Sequence, residues 1–413
     1  MRLQTELDAI LLPAVFQDFE AIVNARSWGR MVELVSGDMR GRPHLATHLR
    51  RQHRIAYALS YLQDEFLHGR QVAPSAAPDL YEAATLIVQF TEICKAYPNI
   101  SHALTRRLHS ALDYPEHMRG LLFELEIATQ LSKRGMAISF PDLDGTGRFD
   151  FLAEDSDGQL VELECKYITH EKGRSVSRYS AMLIYGSLAP VIDQFAHAAA
   201  HCVIVRIIFN GKAPRGDAEV RALAKPVADV LAGSERCDYE FGRVQILQFD
   251  PITLSDKPTR SEIDELLIAN GISNVESATR KYPSGVVVIT TVESVKRSKV
   301  LESVFATAKD AAKEQLTGTR PSMLCIKYED LPPEQLIDIA KELDGNPSAL
   351  RVRASVFLNS LSASRVSVLT FFADAVDLTS RGSVTTRENA TYSFRNRRNM
   401  FNANSVFRGM FGS

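Results

Sequence analysis

The stretch RFDFLAEDSDGQLVELECKYIT, residues 148–169, alternates apolar and charged residues on both sides of a short polar segment. This period-two alternation is typical of half-buried β-strands. The polar segment Asp155-Ser-Asp-Gly158 contains the Asp-Gly pair that favours a tight hairpin turn. We therefore predict a β-hairpin with strands over residues 148–153 and 160–168.

The predicted hairpin brings charged groups of both signs together. Folding about the turn places Asp150 opposite the neighbourhood of Glu164, and cross-strand neighbours lie about 4.5–5.5 Å apart at Cβ. Glu164 and Lys166 share a face because they are two residues apart. Two carboxylates beside an ammonium group can hold a divalent metal ion and activate a water. Glu162 shares that face, and we expect it to be solvated or to neighbour the ligands.

The composition indicates an ordinary globular protein with more than one domain. The chain has 413 residues, of which 45% are hydrophobic and 24% charged, and this length suggests two or three domains. No window approaches about 18 consecutive apolar residues, and the N-terminus lacks a signal-peptide layout, so no membrane contact is expected. Five scattered cysteines without a CxxC motif argue for a reducing cytoplasm and against a disulfide framework or structural zinc.

The charge balance restricts how a partner rich in phosphate would bind. There are 48 Lys+Arg against 50 Asp+Glu, so such a partner would have to meet a local basic patch. Lys172, Arg174 and Arg178 directly follow the predicted hairpin and form either a nucleic-acid contact or an ordinary surface loop. The Arg106-Arg107 pair is likewise either a phosphate contact or part of a solvated helix face.

The remaining sequence predicts three regions. Residues 1–112 have helical apolar spacing without strand alternation, which predicts an all-helical N-terminal domain. Helices alternate with apolar strands over residues 113–379, which predicts one extended α/β core because no clear linker interrupts it. Residues 380–413 form a basic, aromatic-containing tail that we expect to be rich in loops.

Several elements of the predicted core can be assigned individually. A helix is expected over about residues 116–134 and a second over 187–201, the latter followed by the apolar strand CVIVRIIFN. A third helix is expected over 299–316. Further strands are predicted at residues 137–140, 243–249, 284–292, 322–328 and 367–374.

Glu124 lies on the apolar stripe of the predicted helix over residues 116–134. It is three residues from Leu121, four from Ala128 and seven from Leu131. A carboxylate on a core-facing stripe is costly to bury unless it is paired. A metal ion or the ammonium group of Lys166 would provide that pairing.

The order of a helix with Glu124, a strand with Asp150 and a strand with Glu164-Cys165-Lys166 resembles the PD-(D/E)xK nuclease superfamily. The resemblance covers about residues 116–210, including the helix and the apolar strand that follow the hairpin. It departs from the family's name at Arg148-Phe149-Asp150, where Pro-Asp would be expected, although members of the superfamily vary there. It implies a restriction-endonuclease-like mixed sheet flanked by helices.

The resemblance also implies a function and a set of roles. The expected reaction is hydrolysis of phosphodiester bonds in nucleic acid, DNA rather than RNA, in microbial defence or DNA processing, with Mg²⁺ or Mn²⁺ as cofactor. Asp150, Glu164 and the backbone carbonyl of Cys165 would be metal ligands, and Glu124 would hold a second metal or a metal-bound water. Lys166 would orient the attacking water or stabilise the phosphate. Many such enzymes act as homodimers, and the absence of a GxxxxGK[ST] motif excludes ATP hydrolysis by this chain.

Two other functions are compatible with these residues. The first is a nuclease-like fold kept without catalysis, as a binding module for nucleic acid or protein. The second is an α/β enzyme of another class whose acidic cluster serves a small phosphorylated substrate. Glu-x-Lys alone is most often the solvated face of a strand, so the nuclease interpretation depends on Asp150, on Glu124 and on the order of the elements.

Overall fold

The computed structural model describes residues 2–23, 26–169, 171–199, 201–250, 254–255, 259–273, 275–329, 331, 333–341, 347–401, 405–408 and 410. The chain forms two compact units. Unit 1 comprises Met1–Asp38, Leu49–Lys172 and Val300–Ser413, and unit 2 comprises Met39–His48 and Gly173–Lys299. Each unit has its own mixed β-sheet and helices, so the predicted α/β class is confirmed.

The strands are numbered along the chain. They are β1 (Arg2–Asp8), β2 (Ala137–Ser139), β3 (Phe151–Glu154), β4 (Leu160–Ile168), β5 (Cys202–Phe209), β6 (Arg236–Tyr239), β7 (Gly242–Phe249), β8 (Glu276–Lys281), β9 (Val287–Ser294), β10 (Ser322–Tyr328), β11 (Val368–Arg381) and β12 (Val384–Arg395).

The α-helices are numbered in the same way. They are α1 (Leu12–Val23), α2 (Arg26–Gly41), α3 (Ala46–Gln52), α4 (Arg54–Leu67), α5 (Pro78–Ala96), α6 (Pro98–Asp113), α7 (Pro115–Lys133), α8 (Pro141–Asp144), α9 (Arg178–Ala198), α10 (Asp217–Arg221), α11 (Ala224–Leu231), α12 (Arg260–Ala269), α13 (Val300–Glu314), α14 (Pro333–Lys341) and α15 (Ala349–Leu358). None of these described helices is long and apolar enough to cross a membrane.

The sheet of unit 1 has seven strands in the order β1-β12-β11-β10-β4-β3-β2. Strand β4 pairs antiparallel with β3 and parallel with β10, and β10 pairs parallel with β11. Parallel neighbours need a crossover connection. The connection from β4 to β10 includes α13, which directly precedes β10. Apolar residues of α13, α14 and α15 pack with residues of β10 and β11 in one core, which includes Val304, Leu336, Leu350, Ile326 and Phe371.

The β3–β4 hairpin forms as predicted. Phe151 is opposite Leu163, and Glu154 is opposite Leu160. In the turn, Oδ1 of Asp155 accepts the backbone N–H of Asp157 at 3.0 Å. Gly158 has a backbone φ of +76°, a conformation that residues with a Cβ atom rarely adopt. Strand β4 has the predicted bounds, whereas β3 begins one residue after Asp150.

Both ends of the chain differ from the predictions. Residues 2–8 form β1 instead of a helix, and residues 384–395 form β12 instead of a loop. The two strands pair antiparallel over seven residues, and β12 also pairs with β11. Neither polar segment carries a strong strand pattern. Strand β1 depends on a partner far away in sequence, whereas β12 follows β11 directly through a turn in which Gly382 has φ +63°. The helices predicted for the remainder of residues 1–112 are present as α1–α6. They do not form a domain of their own, because most of these residues belong to unit 1 together with its sheet and Met39–His48 belongs to unit 2.

Unit 2 has a five-stranded sheet in the order β6-β7-β5-β9-β8. The apolar strand β5 is central, antiparallel to β7 and parallel to β9. The prediction of one extended α/β unit is therefore wrong, because α9 and β5 belong to unit 2 and the next strand beside β4 is β10. Residues 173–299 are inserted into unit 1, and the two ends of the insertion meet where the N–H of Lys299 donates to the carbonyl of Gly173 at 2.7 Å.

Candidate functional site

Six charged side chains of unit 1 interact in what we call the acid cluster, defined as Arg107, Glu124, Asp142, Asp150, Glu164 and Lys166. Each comes from a different place in the chain except the last two. They are contributed by α6, α7, α8, the residue before β3 and the strand β4.

The hairpin contributes three of these groups. Oδ2 of Asp150 accepts the backbone N–H of Cys165 at 2.7 Å, which fixes the carboxylate beside β4. The ammonium group of Lys166 donates to Oε1 of Glu164. Asp150 is 6% exposed and Glu164 is fully buried. The sequence therefore predicted correctly that Asp150 approaches the Glu164–Lys166 segment.

Arg107 connects the other two carboxylates. One terminal nitrogen lies 2.6 Å from Oε1 of Glu124, and the other lies 2.9 Å from Oδ2 of Asp142. Glu124 is thus paired with an arginine and not with Lys166, the partner that the sequence suggested. The sequence suggested that Arg107 contacts phosphate or belongs to a solvated helix face, whereas the structure pairs it with two carboxylates. Its side chain is 32% exposed.

Sequence reasoning missed Asp142 and the role of Arg107. Asp142 lies in the short helix α8 directly after Pro141, so it belongs to a Pro-Asp pair that sequence reasoning passed over. Arg107 is one residue from Leu108 and three from Leu104, both of which are buried on α6. The position of Arg107 next to an apolar stripe was the available signal that its side chain faces the interior. That signal would not have identified Glu124 and Asp142 as its partners.

Burial and mutual repulsion shift the protonation of the acids. Burial, reinforced by the neighbouring Asp150, raises the pKa of Glu164 to about 8 despite the opposing effect of Lys166. Burial and Asp150 likewise raise the pKa of Glu124 well above its usual value. Burial also raises the pKa of Asp150, against the hydrogen bond from Cys165. Burial and Asp150 raise the pKa of Asp142 to about 6.

The two cations respond in the opposite direction. Burial alone would lower the pKa of Lys166, but Glu164, Asp150 and Glu124 outweigh it and raise that pKa. The same balance raises the pKa of Arg107, with Glu124 and Asp150 as its strongest acidic neighbours. Both cations therefore stay charged, and they compensate part of the negative charge of the cluster.

Cys165 lies between Glu164 and Lys166 in β4, and its side chain points to the other face of the strand. Its side chain is 5% exposed and lies beside Cys325, the residue opposite it on β10. Burial and a hydrogen bond with Cys325 raise the pKa of the Cys165 thiol well above its usual value. The thiol is therefore neutral, and the predicted ligand is the backbone carbonyl.

The donor set of the acid cluster fits a divalent cation of the Mg²⁺ type. Four carboxylates face two cations, so full ionisation leaves two uncompensated negative charges. Oε2 of Glu164 is buried and makes no hydrogen bond within the described residues, which leaves one oxygen available as a ligand. Oxygen donors are those that Mg²⁺ prefers. In the described part of the chain, however, no three His, Cys, Asp or Glu side chains already stand in the arrangement of a metal site.

The space beside the Arg107 ion pairs is small. A cavity of about 10 Å³ is lined by Arg107, Glu124 and Asp142 together with apolar side chains that include Leu104 and Phe151. This volume corresponds to about one water molecule. A phosphate group could enter only if the side chains that surround the cavity moved.

The predicted nucleic-acid contacts are divided between the units. Lys172 belongs to unit 1 and donates to Oγ1 of Thr307 at 2.7 Å. Arg174 belongs to unit 2 and lies 3.2 Å from Oε1 of Glu276. Arg178 is the first residue of α9 in unit 2. Their role in binding nucleic acid stays a prediction.

Glu162 is not solvated, contrary to one of the two expectations for it. It is fully buried, and its carboxylate accepts hydrogen bonds from the backbone N–H and the hydroxyl group of Thr317. Arg320 lies 3.7 Å away. Glu162 therefore holds the connection between α13 and β10, and it has a structural role beside the acid cluster.

Comparisons of the chain with protein-family models, with curated proteins and with solved structures find no match.

Proposed function

We propose that unit 1 hydrolyses phosphodiester bonds of DNA in a Mg²⁺-dependent reaction at the acid cluster. One observation carries the proposal. The fully buried Glu164 keeps an oxygen without a hydrogen-bond partner, inside a cluster where four carboxylates face two cations. Full ionisation of the cluster would leave buried negative charge uncompensated, which is costly. Glu164 therefore holds a proton at neutral pH, and a divalent cation would take the place of that proton.

The order of elements in unit 1 supports the same proposal. Helix α7, strand β2, the short helix α8, strands β3 and β4, helix α13 and strand β10 follow one another, with the insertion of residues 173–299 between β4 and α13. The PD-(D/E)xK resemblance implies a helix and a strand after the site hairpin. In this chain α13 and β10 would take these places, instead of α9 and β5, because β10 pairs parallel with β4.

The residues of the cluster would have distinct tasks. Asp150, Glu164 and the carbonyl of Cys165 would hold Mg²⁺, which when bound acidifies a water and stabilises negative charge on the phosphate. Glu124, on α7, would hold a second metal ion or a metal-bound water once it separates from Arg107. Glu164 must release its proton to act as a ligand, and the ammonium group of Lys166 favours that release because it contacts the same carboxylate.

Lys166 would also act on the substrate. Its side chain is 26% exposed, the most accessible of the three hairpin groups, whereas Glu164 is fully buried. An ammonium group at the edge of the cluster can hold a phosphate oxygen or orient the attacking water. In this proposal the buried carboxylate would hold the metal on the inner side of the site, and the exposed cation would meet the phosphate on the outer side.

The proposal is tested by cleavage of plasmid, linear duplex and single-stranded DNA, with RNA in parallel, in the presence of Mg²⁺, Mn²⁺ or EDTA. We expect Mg²⁺-dependent cleavage that falls at least about 100-fold in Asp150→Asn, Glu164→Gln and Lys166→Met. The matched control is Glu162→Gln on the same face of β4, which should cleave like the wild type. Equal activity in all of these variants would place the reaction elsewhere.

A second candidate function is a nuclease-like module that binds DNA without cutting it. It is favoured by the ion pairs of Arg107 with Glu124 and Asp142, which already occupy two of the carboxylates, and by the small volume of the adjacent cavity. Tight DNA binding by fluorescence anisotropy, unchanged in Asp150→Asn and without cleavage under any metal condition, would select this function.

A further inference from the structure

Unit 1 contains a second cavity of about 490 Å³, which we call the polar cavity. It lies among α3, α4, α5 and α7 and the carboxyl ends of the parallel strands β4 and β10, which contribute Arg51, Arg54, Asp79, Leu122, Tyr167 and Lys327. Ligands of open α/β sheets commonly bind outside the carboxyl ends of the strands. The volume also lies within the range of about 300–1,000 Å³ that is typical of small-molecule sites.

The polar cavity is separate from the acid cluster. Tyr167 lines it and points to the face of β4 opposite that of Glu164 and Lys166, because neighbouring residues in a strand alternate. On α7 the cavity is lined by Glu126 and not by Glu124. The two sites therefore share α7 and β4 but no side chain.

The inner wall of the polar cavity carries two ion pairs. Arg119 lies 2.5 Å from Oε1 of Glu329, and Lys327 lies 3.3 Å from Oε2 of Glu126. These four side chains are only 7–13% exposed, and their charges balance one another. A ligand with a net charge would add an uncompensated charge beside this wall, which is costly. The inner wall therefore favours a ligand whose net charge is zero.

The mouth of the cavity, formed by Arg51, Arg54, Asp79 and Glu82, has one carboxylate and one cation with incomplete partners. Arg54 lies 2.6 Å from Glu82 and 3.3 Å from Asp79, so one guanidinium group serves two carboxylates. The side chain of Asp79 is 53% exposed. Arg51 is exposed on α3, and its side chain forms no ion pair in the part of the chain that the structure describes. The mouth thus presents one negative and one positive group to a ligand.

Arg51 and Asp79 are close enough to act on the same small molecule. Burial raises the pKa of Asp79, and Arg54 and Arg51 act in the opposite direction. Arg51 therefore influences the Asp79 carboxylate without forming an ion pair with it. A ligand that carries a carboxylate and an ammonium group can complete both, because charge-assisted hydrogen bonds are the strong ones.

The cavity also has apolar surface that a ligand can reach. Leu122 of α7 and Tyr167 of β4 both line it, and both are half-buried, so part of each side chain stays accessible. Apolar groups gain free energy when they leave water for such a surface. A ligand with two opposite charges and an apolar side chain matches the mouth, the inner wall and this surface together.

We propose that the polar cavity binds a free α-amino acid with an apolar side chain. Its carboxylate would pair with Arg51, its ammonium group with Asp79, and its side chain would pack against Leu122 and Tyr167. The proposal concerns binding alone and does not depend on catalysis at the acid cluster, so either proposal can fail without the other.

The test is isothermal titration calorimetry on the full chain with leucine, methionine and phenylalanine as probes. Each amino acid is compared with its N-acetyl derivative, which lacks the ammonium group, and with its amide, which lacks the carboxylate. We expect saturable binding of at least one of these amino acids with a Kd below about 1 mM. Both of its derivatives should bind at least about tenfold more weakly, because each loses one charge-assisted hydrogen bond.

Arg51→Gln and Asp79→Asn are the informative variants, and each should weaken binding of the amino acid at least about tenfold. Arg51→Gln should also remove the preference for the amino acid over its amide, and Asp79→Asn the preference over its N-acetyl derivative. The matched control is Arg50→Gln, because Arg50 is the neighbouring residue on α3 but does not line the cavity and lies 5.4 Å from the centroid of the Tyr57 ring. That control should bind like the wild type.

Circular dichroism and thermal unfolding verify that each variant is folded. The proposal is overturned if none of these amino acids binds at about 1 mM, or if a derivative binds as tightly as its parent amino acid. It is also overturned if folded Arg51→Gln and Asp79→Asn both keep the affinity of the wild type.

Discussion

At the scale of single residues, Glu164 shows the cost of burying a carboxyl group beside other acids. Burial and Asp150 raise its pKa to about 8 in the folded state, from a usual value near 4.5. Between these values the folded protein holds a proton that the unfolded chain has released. The free energy of unfolding of the metal-free protein should therefore fall as pH rises from 5 to 8, by up to about 1.4 kcal/mol per pH unit for this group.

Urea unfolding in EDTA at successive pH values measures this slope. Glu164→Gln should reduce the slope, because glutamine does not titrate, and the raised pKa values of Glu124 and Asp142 account for the part that remains. Glu154→Gln, at an exposed position of β3, should leave the slope unchanged. The same slope in wild type and Glu164→Gln would contradict the assignment of this group.

Arg107 should act as the cation that holds the acid cluster together without metal. Arg107→Gln leaves Glu124 and Asp142 unpaired, and we expect a loss of about 2 kcal/mol in the free energy of unfolding, less than for a fully buried pair because Arg107 is partly exposed. If the cluster binds Mg²⁺, the ion should restore part of that stability, so the Mg²⁺-induced rise in Tm should be larger in the variant.

Differential scanning fluorimetry with and without Mg²⁺ measures both effects. The control is Arg106→Gln, since Arg106 is exposed on the same helix. An unchanged Tm in Arg107→Gln would show that the two ion pairs contribute nothing to stability.

At the scale of elements, Glu162 should stabilise the α13–β10 connection without contributing to chemistry. Glu162→Ala removes the acceptor of two hydrogen bonds from Thr317, and we expect a loss of about 2 kcal/mol in the free energy of unfolding. Cleavage per folded molecule should stay at the wild-type level. A Glu162→Ala variant that is stable but inactive would instead make Glu162 part of the site.

The elements also show where sequence patterns were sufficient. Strand β4, strand β10 and helix α7 appear within a residue of their predicted bounds, because each carries its own periodic apolar pattern and turn or helix-end signals. Strands β1 and β12 have mixed, mostly polar sequences. Strand β1 pairs with β12, far away in sequence, so no local pattern could predict it. Strand β12 also pairs with β11 across a tight turn that contains Gly382, a local signal that sequence reasoning passed over.

At the scale of the whole molecule, the inserted part of unit 2 should be separable from unit 1, to which Met39–His48, the other segment of unit 2, would stay attached. Because the ends of the insertion meet at Gly173 and Lys299, replacing residues 174–298 by a short Gly-Ser linker should leave a folded unit 1 that unfolds cooperatively. Circular dichroism and thermal unfolding measure this outcome.

The control for this deletion removes residues 210–298 only. It keeps β5 but eliminates β7 and β9, its two neighbours in the sheet of unit 2. The exposed apolar strand should then cause aggregation. If the variant that lacks residues 174–298 aggregates as readily as this control, unit 1 depends on unit 2 for its folding.

The sequence by itself determined the hairpin, the approach of Asp150 to the Glu164–Lys166 segment, the burial of one side of α7 and the α/β class. Each follows from a short-range periodicity or a turn signal. The tertiary structure alone decided that Glu124 pairs with Arg107, that Asp142 joins the cluster, and that β10 lies beside β4 while β5 belongs to a different sheet. These depend on contacts between segments far apart in the chain, and apolar strands such as β5 and β10 carry no local mark of the sheet they join.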